Sequence, residues 1–244
     1  MWRIRNILQI FLIFFLWDSV FSEPQKTIFS YDRPKILTYV FSLLFVRAIV
    51  LTSQATEISG QVARGDISSL LLKPVGFFKY WLTRDVSKKI INVCFAFFEG
   101  LILYLILKPQ IYIQTNPIYL LLFMISLIMA FFIFYFLVMA NNSIPFWVPE
   151  AAWGVNFILI SVLVEFLSGA VFPLNVLPVY FQNLLSYTPF PYLVFFPIQI
   201  YLGNFSYIYA IKGIIVSGVW LFLICLLVKI LWDKGLRTYQ AQGS

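Results

Sequence analysis

Long apolar runs separated by short polar stretches dominate the chain. The runs cover residues 4–21, 36–56, 90–107, 118–140, 151–172 and 207–231. Each is long enough, as helix, to cross a hydrocarbon layer of about 30 Å. None alternates with the period of two that marks a half-buried strand, so the pattern predicts about six transmembrane helices. Between the fifth and sixth runs, residues 173–203 stay apolar but are interrupted by Pro173, Pro178, Pro189, Pro191 and Pro197. An uninterrupted spanning helix does not tolerate so many breaks. The segment is therefore expected to form two short helices that dip into the outer half of the membrane and return. The competing reading is one badly kinked extra span. Pro117 is well placed to open the fourth helix.

The polar stretches set the orientation. Residues 57–89 gather Arg64, Lys73, Lys79, Arg84, Lys88 and Lys89 between two apolar runs. Basic residues concentrated in a short loop mark the cytoplasmic side. Lys229, Lys234 and Arg237 at the far end of the last run place the C-terminus on that same side. Six spans then put both termini in the cytoplasm and residues 22–35 outside. The stretch 141–150 should be cytoplasmic, yet it holds no Lys or Arg. The first run, preceded by Arg3 and Arg5, also fits a secretory signal peptide, although Trp17 and Asp18 suit a cleavage site poorly.

Within 57–89 the spacing predicts two short helical pieces. Ile58 and Val62 share a helix face, Gly65 suits the left-handed position after a helix end, and Asp66 is expected to cap a second piece that stops at Pro74. An ordinary solvated loop obeying the charge rule would carry the same basic residues. Inside the spans stand Arg47, Glu99 and Glu165. Ionisable groups at that depth cost about 2.5–3.5 kcal/mol each on insertion scales, so they face protein or water. They either line a path for a polar head group, or Arg47 pairs with one of the glutamates and fixes the packing. Gly154, Ser161, Ser168 and Gly169 give the fifth span small residues for close helix contact.

Composition narrows the function classes. With 61% hydrophobic and only 11% charged residues, a soluble globular domain is excluded. An aromatic content of 20% suits rings at membrane interfaces. The net charge of +7 reflects topology and lipid head-group attraction, since no polar domain exists to present a basic face to nucleic acid. The chain has no histidine, which removes His triads, His metal sites and His-based acyl transfer. Cys94 and Cys225 lie in apolar runs and suggest neither a disulfide nor a metal framework. No phosphate-binding GxxxxGK(S/T) pattern occurs, so an ATPase of that type is not encoded here.

Three stretches, in this order and spacing, resemble ABC-2 type permeases, the membrane subunits of one class of ATP-binding-cassette exporters. The first is GQVARGDISSLLLKPV, with the pattern G-D-(I/L)-x-x-x-L-L-(K/R)-P. The second is FLSGAVFPLNVLP followed by YTPFPYLVFFPIQIYLG, and the third is the ending LWDKGLRTYQAQG. Leu16, Trp17 and Phe21 are similar to the close of the family's first span, which favours a retained span. The family's amphipathic surface helix before that span is missing, since Met1 falls almost at the span; either the chain is shortened or this is not its natural start.

The resemblance implies a single permease domain over residues 1–244: an all-α polytopic membrane protein with a cytoplasmic coupling loop and an extracellular re-entrant helical hairpin before the last span. It implies a multi-pass protein of the cytoplasmic membrane, non-catalytic itself and binding no cofactor, with ATP and Mg on a partner ATPase. Expected partners are two copies of that cassette ATPase, a second permease (identical or paralogous) and membrane lipid. Glu57, Arg64, Gly65, Asp66, Leu71 and Lys73 are the implied ATPase interface. Arg47, Glu99 and Glu165 remain path or packing residues, and the cargo is expected to be hydrophobic or amphipathic. Rival readings are an ATP-independent transporter or channel, or a membrane immunity or structural protein; no inverted repeat or Gly-rich filter supports the former.

Overall fold

Apolar sequence in a membrane must satisfy its backbone internally, which leaves helix as the available form for this chain. The computed structural model describes residues 2–21, 27, 29, 31–72 and 74–239. Among them there is no strand. Helix α1 covers Trp2–Val20 and α2 covers Arg33–Ile49. The carboxylate of Asp32 caps α2 by accepting the Lys35 amide at 3.0 Å. Asp18 and Arg33 pair at 2.8 Å, joining the end of α1 to the start of α2. A break over residues 50–53 follows α2. The chain resumes as a 3-10 turn, Gln54–Thr56, and helix α3, Glu57–Ala63, bent by 57° from α2. Helix α4, Ile67–Leu71, completes the corner.

Helix α5 runs from Phe77 to Leu107, 31 residues, or ~46 Å at 1.5 Å per residue. This corrects the expected loop over 57–89, whose last third is helix. The basic residues Lys79, Arg84, Lys88 and Lys89 all lie in the first 13 residues of α5. Trp81, Asp85, Lys89, Asn92, Ala96, Gly100 and Leu103 are its buried residues, recurring every three or four positions on one face. Helix α6, Pro117–Asn141, opens on Pro117 as the sequence predicted, with Asn116 capping the Ile118 amide at 2.9 Å. Helix α10, Tyr207–Thr238, is 32 residues long and packs along α6.

The fifth apolar run departs from expectation. It yields a short helix, α7 over Gly154–Leu167, wound as a π-helix across Phe157–Val164. It stops before Gly169, whose φ of +85° turns the chain. The Phe195 amide donates to the Ser168 carbonyl at 2.9 Å and Tyr39 Oη donates to the Gly169 carbonyl at 2.6 Å, which fixes that stop. The proline-rich segment then forms α8, Val179–Ser186, and α9, Phe195–Tyr201, the two short helices that its breaks predicted. Pro178 and Pro189 lie at or beside helix starts, where a missing amide costs nothing.

Two helices organise the packing: α2 contacts α1, α5, α6 and α9, and α6 contacts α2, α7, α9 and α10. Helices α5, α6 and α10 are long and apolar enough to cross a membrane, and the bent pair α2–α3 makes a fourth if it is one span. Ile7–Val20 and α7 are shorter apolar helices. The molecule is an all-α polytopic membrane protein. At one end lie the α3–α4 corner, the start of α5, and the ends of α6 and α10. There Phe77 stacks on Trp232 with ring centres 4.1 Å apart, and Tyr135 Oη donates to the Phe78 carbonyl at 3.0 Å. At the other end lie the start of α2, the turn at Gly169, and α8 and α9.

Candidate functional site

The α3–α4 corner is built as the glycine predicted and not as the aspartate did. Gly65 has φ +80°. Its amide donates to the Val62 carbonyl at 3.2 Å, and the Asp66 amide reaches the Gln61 carbonyl at 2.9 Å. Those two bonds form a Schellman ending, which requires a left-handed residue at the Gly65 position. Asp66 does not cap α4. A capping residue has extended backbone, whereas Asp66 already sits at φ −69°, ψ −17°. Its carboxylate instead accepts from Arg64 Nε at 2.9 Å, in a pair open to solvent. Ser68 and Ser69 hydroxyls close the turn by donating to the carbonyls of Gly65 and Asp66, at 2.9 and 2.8 Å. Leu71 is the last residue of α4. Lys73 lies outside the described residues.

Other contacts fix the corner to the bundle. Glu57, at the start of α3, pairs with Arg84 of α5 at 3.1 Å. The Arg84 guanidinium lies over the Trp81 ring, 4.9 Å from its centre. Asn156 of α7 donates to the Thr56 carbonyl at 3.1 Å, to Ser59 Oγ at 3.0 Å and to Asn142 Oδ1 at 2.8 Å. A groove of about 1050 Å³ runs between α3 and the start of α7, with Arg64 and Glu150 on its walls and Trp153 standing 92% exposed beside them. Arg64, at the end of α3, and Glu150, in a 3-10 turn before α7, thus share one open surface with an exposed tryptophan.

The intramembrane charges divide. Arg47 is buried and forms an ion pair with Glu165 across α2 and α7; its other nitrogen reaches the Ala170 carbonyl at 3.4 Å. Glu99 stands half-buried on α5, one residue before buried Gly100. The pair seen for Arg47 therefore bridges α2 to the short fifth helix.

Sequence reasoning missed Asp85 and Lys89, reading Lys88 and Lys89 together as loop charges. Both Asp85 and Lys89 are buried against the break that follows α2. Lys89 Nζ donates to the carbonyls of Val50, at 3.3 Å, and Thr52. Asp85 accepts from Ser53 Oγ at 3.0 and 3.1 Å and from the Gln54 amide. The available signal was their spacing of four, in phase with Trp81, Asn92 and Ala96. Asn156 was missed as well, and nothing in its local sequence distinguishes it.

Comparison with known proteins bears on this arrangement. A family model described as ABC-2 family transporter protein matches residues 7–243. No curated protein and no solved structure matches the chain. With nearly the whole described length matched, the chain belongs to the ABC-2 transporter family, the generally non-catalytic membrane component that works with an ABC ATPase.

Proposed function

We propose that the chain is the permease subunit of an ATP-driven exporter in the cytoplasmic membrane, with both termini on the cytoplasmic side. Hydrolysis, with its ATP and Mg, belongs to a separate ATPase present in two copies. The permease works with a second copy of itself or a paralogue. Closure of the ATPase on ATP pushes the α3–α4 corner, tilts the helices and opens a hydrophobic or amphipathic cargo alternately to the two sides. The observation that carries this reading is the corner itself. Its backbone is fixed by the Gly65 ending, its base is tied to α5 and α7, and Glu57, Arg64 and Asp66 are left exposed. Those charges sit outside the apolar part of the chain and serve a partner in water. Arg47 and Glu165, being paired, are read as packing that joins α2 to α7 rather than as a path.

The test is Gly65→Val, in permease co-expressed with its partner cassette ATPase. A left-handed position costs a β-branched residue about 1–2 kcal/mol, too little to unfold a bundle whose helices are anchored elsewhere. Permease abundance should stay near normal while ATPase recovered on co-purification falls several-fold. Full recovery of an active ATPase would remove the corner from the coupling path.

A further inference from the structure

Breaking a helix leaves two sets of unpaired backbone groups, carbonyls at the end that stops and amides at the end that starts. These ends carry partial negative and partial positive charge respectively. The break between α2 and α3 lies at the membrane-proximal base of the corner, where the chain turns through 57°. Left alone, such a joint is the softest point between the α3–α4 corner and the bundle.

Helix α5 supplies both counter-charges from adjacent turns. Lys89 Nζ meets the α2 end, through the carbonyls of Val50 and Thr52. One turn earlier, the Asp85 carboxylate meets the start of the next helix, through the Gln54 amide and the Ser53 hydroxyl. Ser53 in turn caps the Ala55 amide at 3.1 Å. The signs match the helix ends on both sides, and exchanged charges would be repelled at both. Asp85 is 0% exposed and Lys89 7%, so water does not compete for these bonds. The Lys89 ammonium also lies 4.9 Å from the centre of the Phe131 ring, which brings α6 against the same joint.

We propose that Asp85 and Lys89 are positioning residues that lock the α2–α3 joint onto α5, so that displacement of the corner moves α2 and α5 together instead of being absorbed at the break. This role rests on the exporter reading for its purpose, but the lock itself is a property of the permease alone. It differs from the ATPase interface in that neither residue is available to a partner. Substituting them should leave ATPase binding and the Glu57–Arg84 and Asn156 contacts in place while loosening the joint between α2 and α3.

The experiment places spin labels at Ser69 on α4 and at exposed Val86 on α5, with Cys94 and Cys225 replaced, in reconstituted permease. The lock predicts one narrow distance. Asp85→Asn and Lys89→Met should each broaden it about twofold as the break loses its caps, and Lys89→Arg should restore the narrow distribution. With the cassette ATPase bound, trapping ATP should leave the distance unchanged without other substitutions and shift it in Lys89→Met, while ATPase recovery is equal in both. Where a variant does not fold, hydrogen exchange on the unsubstituted permease decides: the amides of Gln54 and Ala55, within 53–56, should be protected as well as those of α2. A broad distance or fast exchange at those two amides without substitution, or no change in the variants, overturns the lock. Failure of ATPase to bind any version would count against the exporter reading and leave the distance test of the lock standing.

Discussion

Two left-handed glycines, Gly65 and Gly169, turn the chain at opposite ends of the molecule, and they are supported in opposite ways. At Gly169 the turn is buried, and a Cβ would lie 2.8 Å from Tyr39 Oη and 2.9 Å from the Phe195 Cβ. The buried bonds of that end are made mostly by uncharged groups: Tyr31 and Gln199 bond to each other, Asn204 donates to Gln199 at 2.7 Å, and Gln114 donates to the Tyr201 carbonyl at 3.0 Å; charge enters at the rim, where Lys35 donates to Asn204 at 3.0 Å and Arg33 pairs with Asp18. Burial pushes the Tyr31 hydroxyl well above its ordinary pKa, so it stays neutral. At Gly65 the turn is open to water, the side chains around it are charged, and the buried charges Asp85 and Lys89 hold its base. At one end the turn is held by buried bonds to its neighbours; at the other the turn itself faces water and only its base is buried.

The largest effect expected lies between the two ends. Arg47→Met leaves the partly buried Glu165 without this cation, at a cost approaching the roughly 3–5 kcal/mol of breaking a buried pair. Yield and thermal stability in detergent should fall sharply, and Glu165→Gln in the same chain should recover part of the loss. Intact stability with lost transport would instead return these residues to a translocation path.

Next comes Gly169→Val, the counterpart of the Gly65 substitution. The left-handed backbone adds about 1–2 kcal/mol, and forcing methyls against Tyr39 and Phe195 adds about 1–3 kcal/mol of overpacking. Melting in detergent should show a clear drop here and only a small one for Gly65→Val. Equal drops would mean that the two turns are not differently supported.

The smallest effect concerns the Arg64–Asp66 pair, whose side chains are 67% and 57% exposed. Such pairs contribute about 0–1 kcal/mol, and Asp66 caps nothing. Asp66→Ala and Arg64→Ala should therefore leave melting unchanged within error, and any loss should be confined to ATPase recovery. A cap-sized destabilisation in Asp66→Ala would contradict the geometry of the corner.

These contrasts mark what the sequence could carry. Gly65 and Pro117 were legible because their backbone requirements are local and independent of neighbours. The proline breaks between 173 and 203 announced two short helices for the same reason. Asp66 misled because a capping role depends on its own backbone angles, and those are set by the Schellman ending one residue earlier. The helical start of α5 was hidden because its charges were read as loop, whereas a helix need not end where the bilayer does. Pairing of Arg47 with a glutamate was one of two readings the sequence left open, and the choice of Glu165 depends on α7 meeting α2 across 118 positions. The spacing of Asp85 and Lys89 showed at most a shared helix face; their roles were hidden because their partners, the Ser53 hydroxyl and backbone groups of residues 50–54, lie at a break that no local pattern announced.

The central claim is that the charged corner, and not the opposite end, receives the ATPase. A photo-crosslinking residue at Arg64 and, separately, at exposed Val179 of α8 tests it most directly in cells that co-express the cassette ATPase. The account predicts an ATPase adduct from position 64 and none from position 179. No adduct from position 64, or an equal one from position 179, would contradict it.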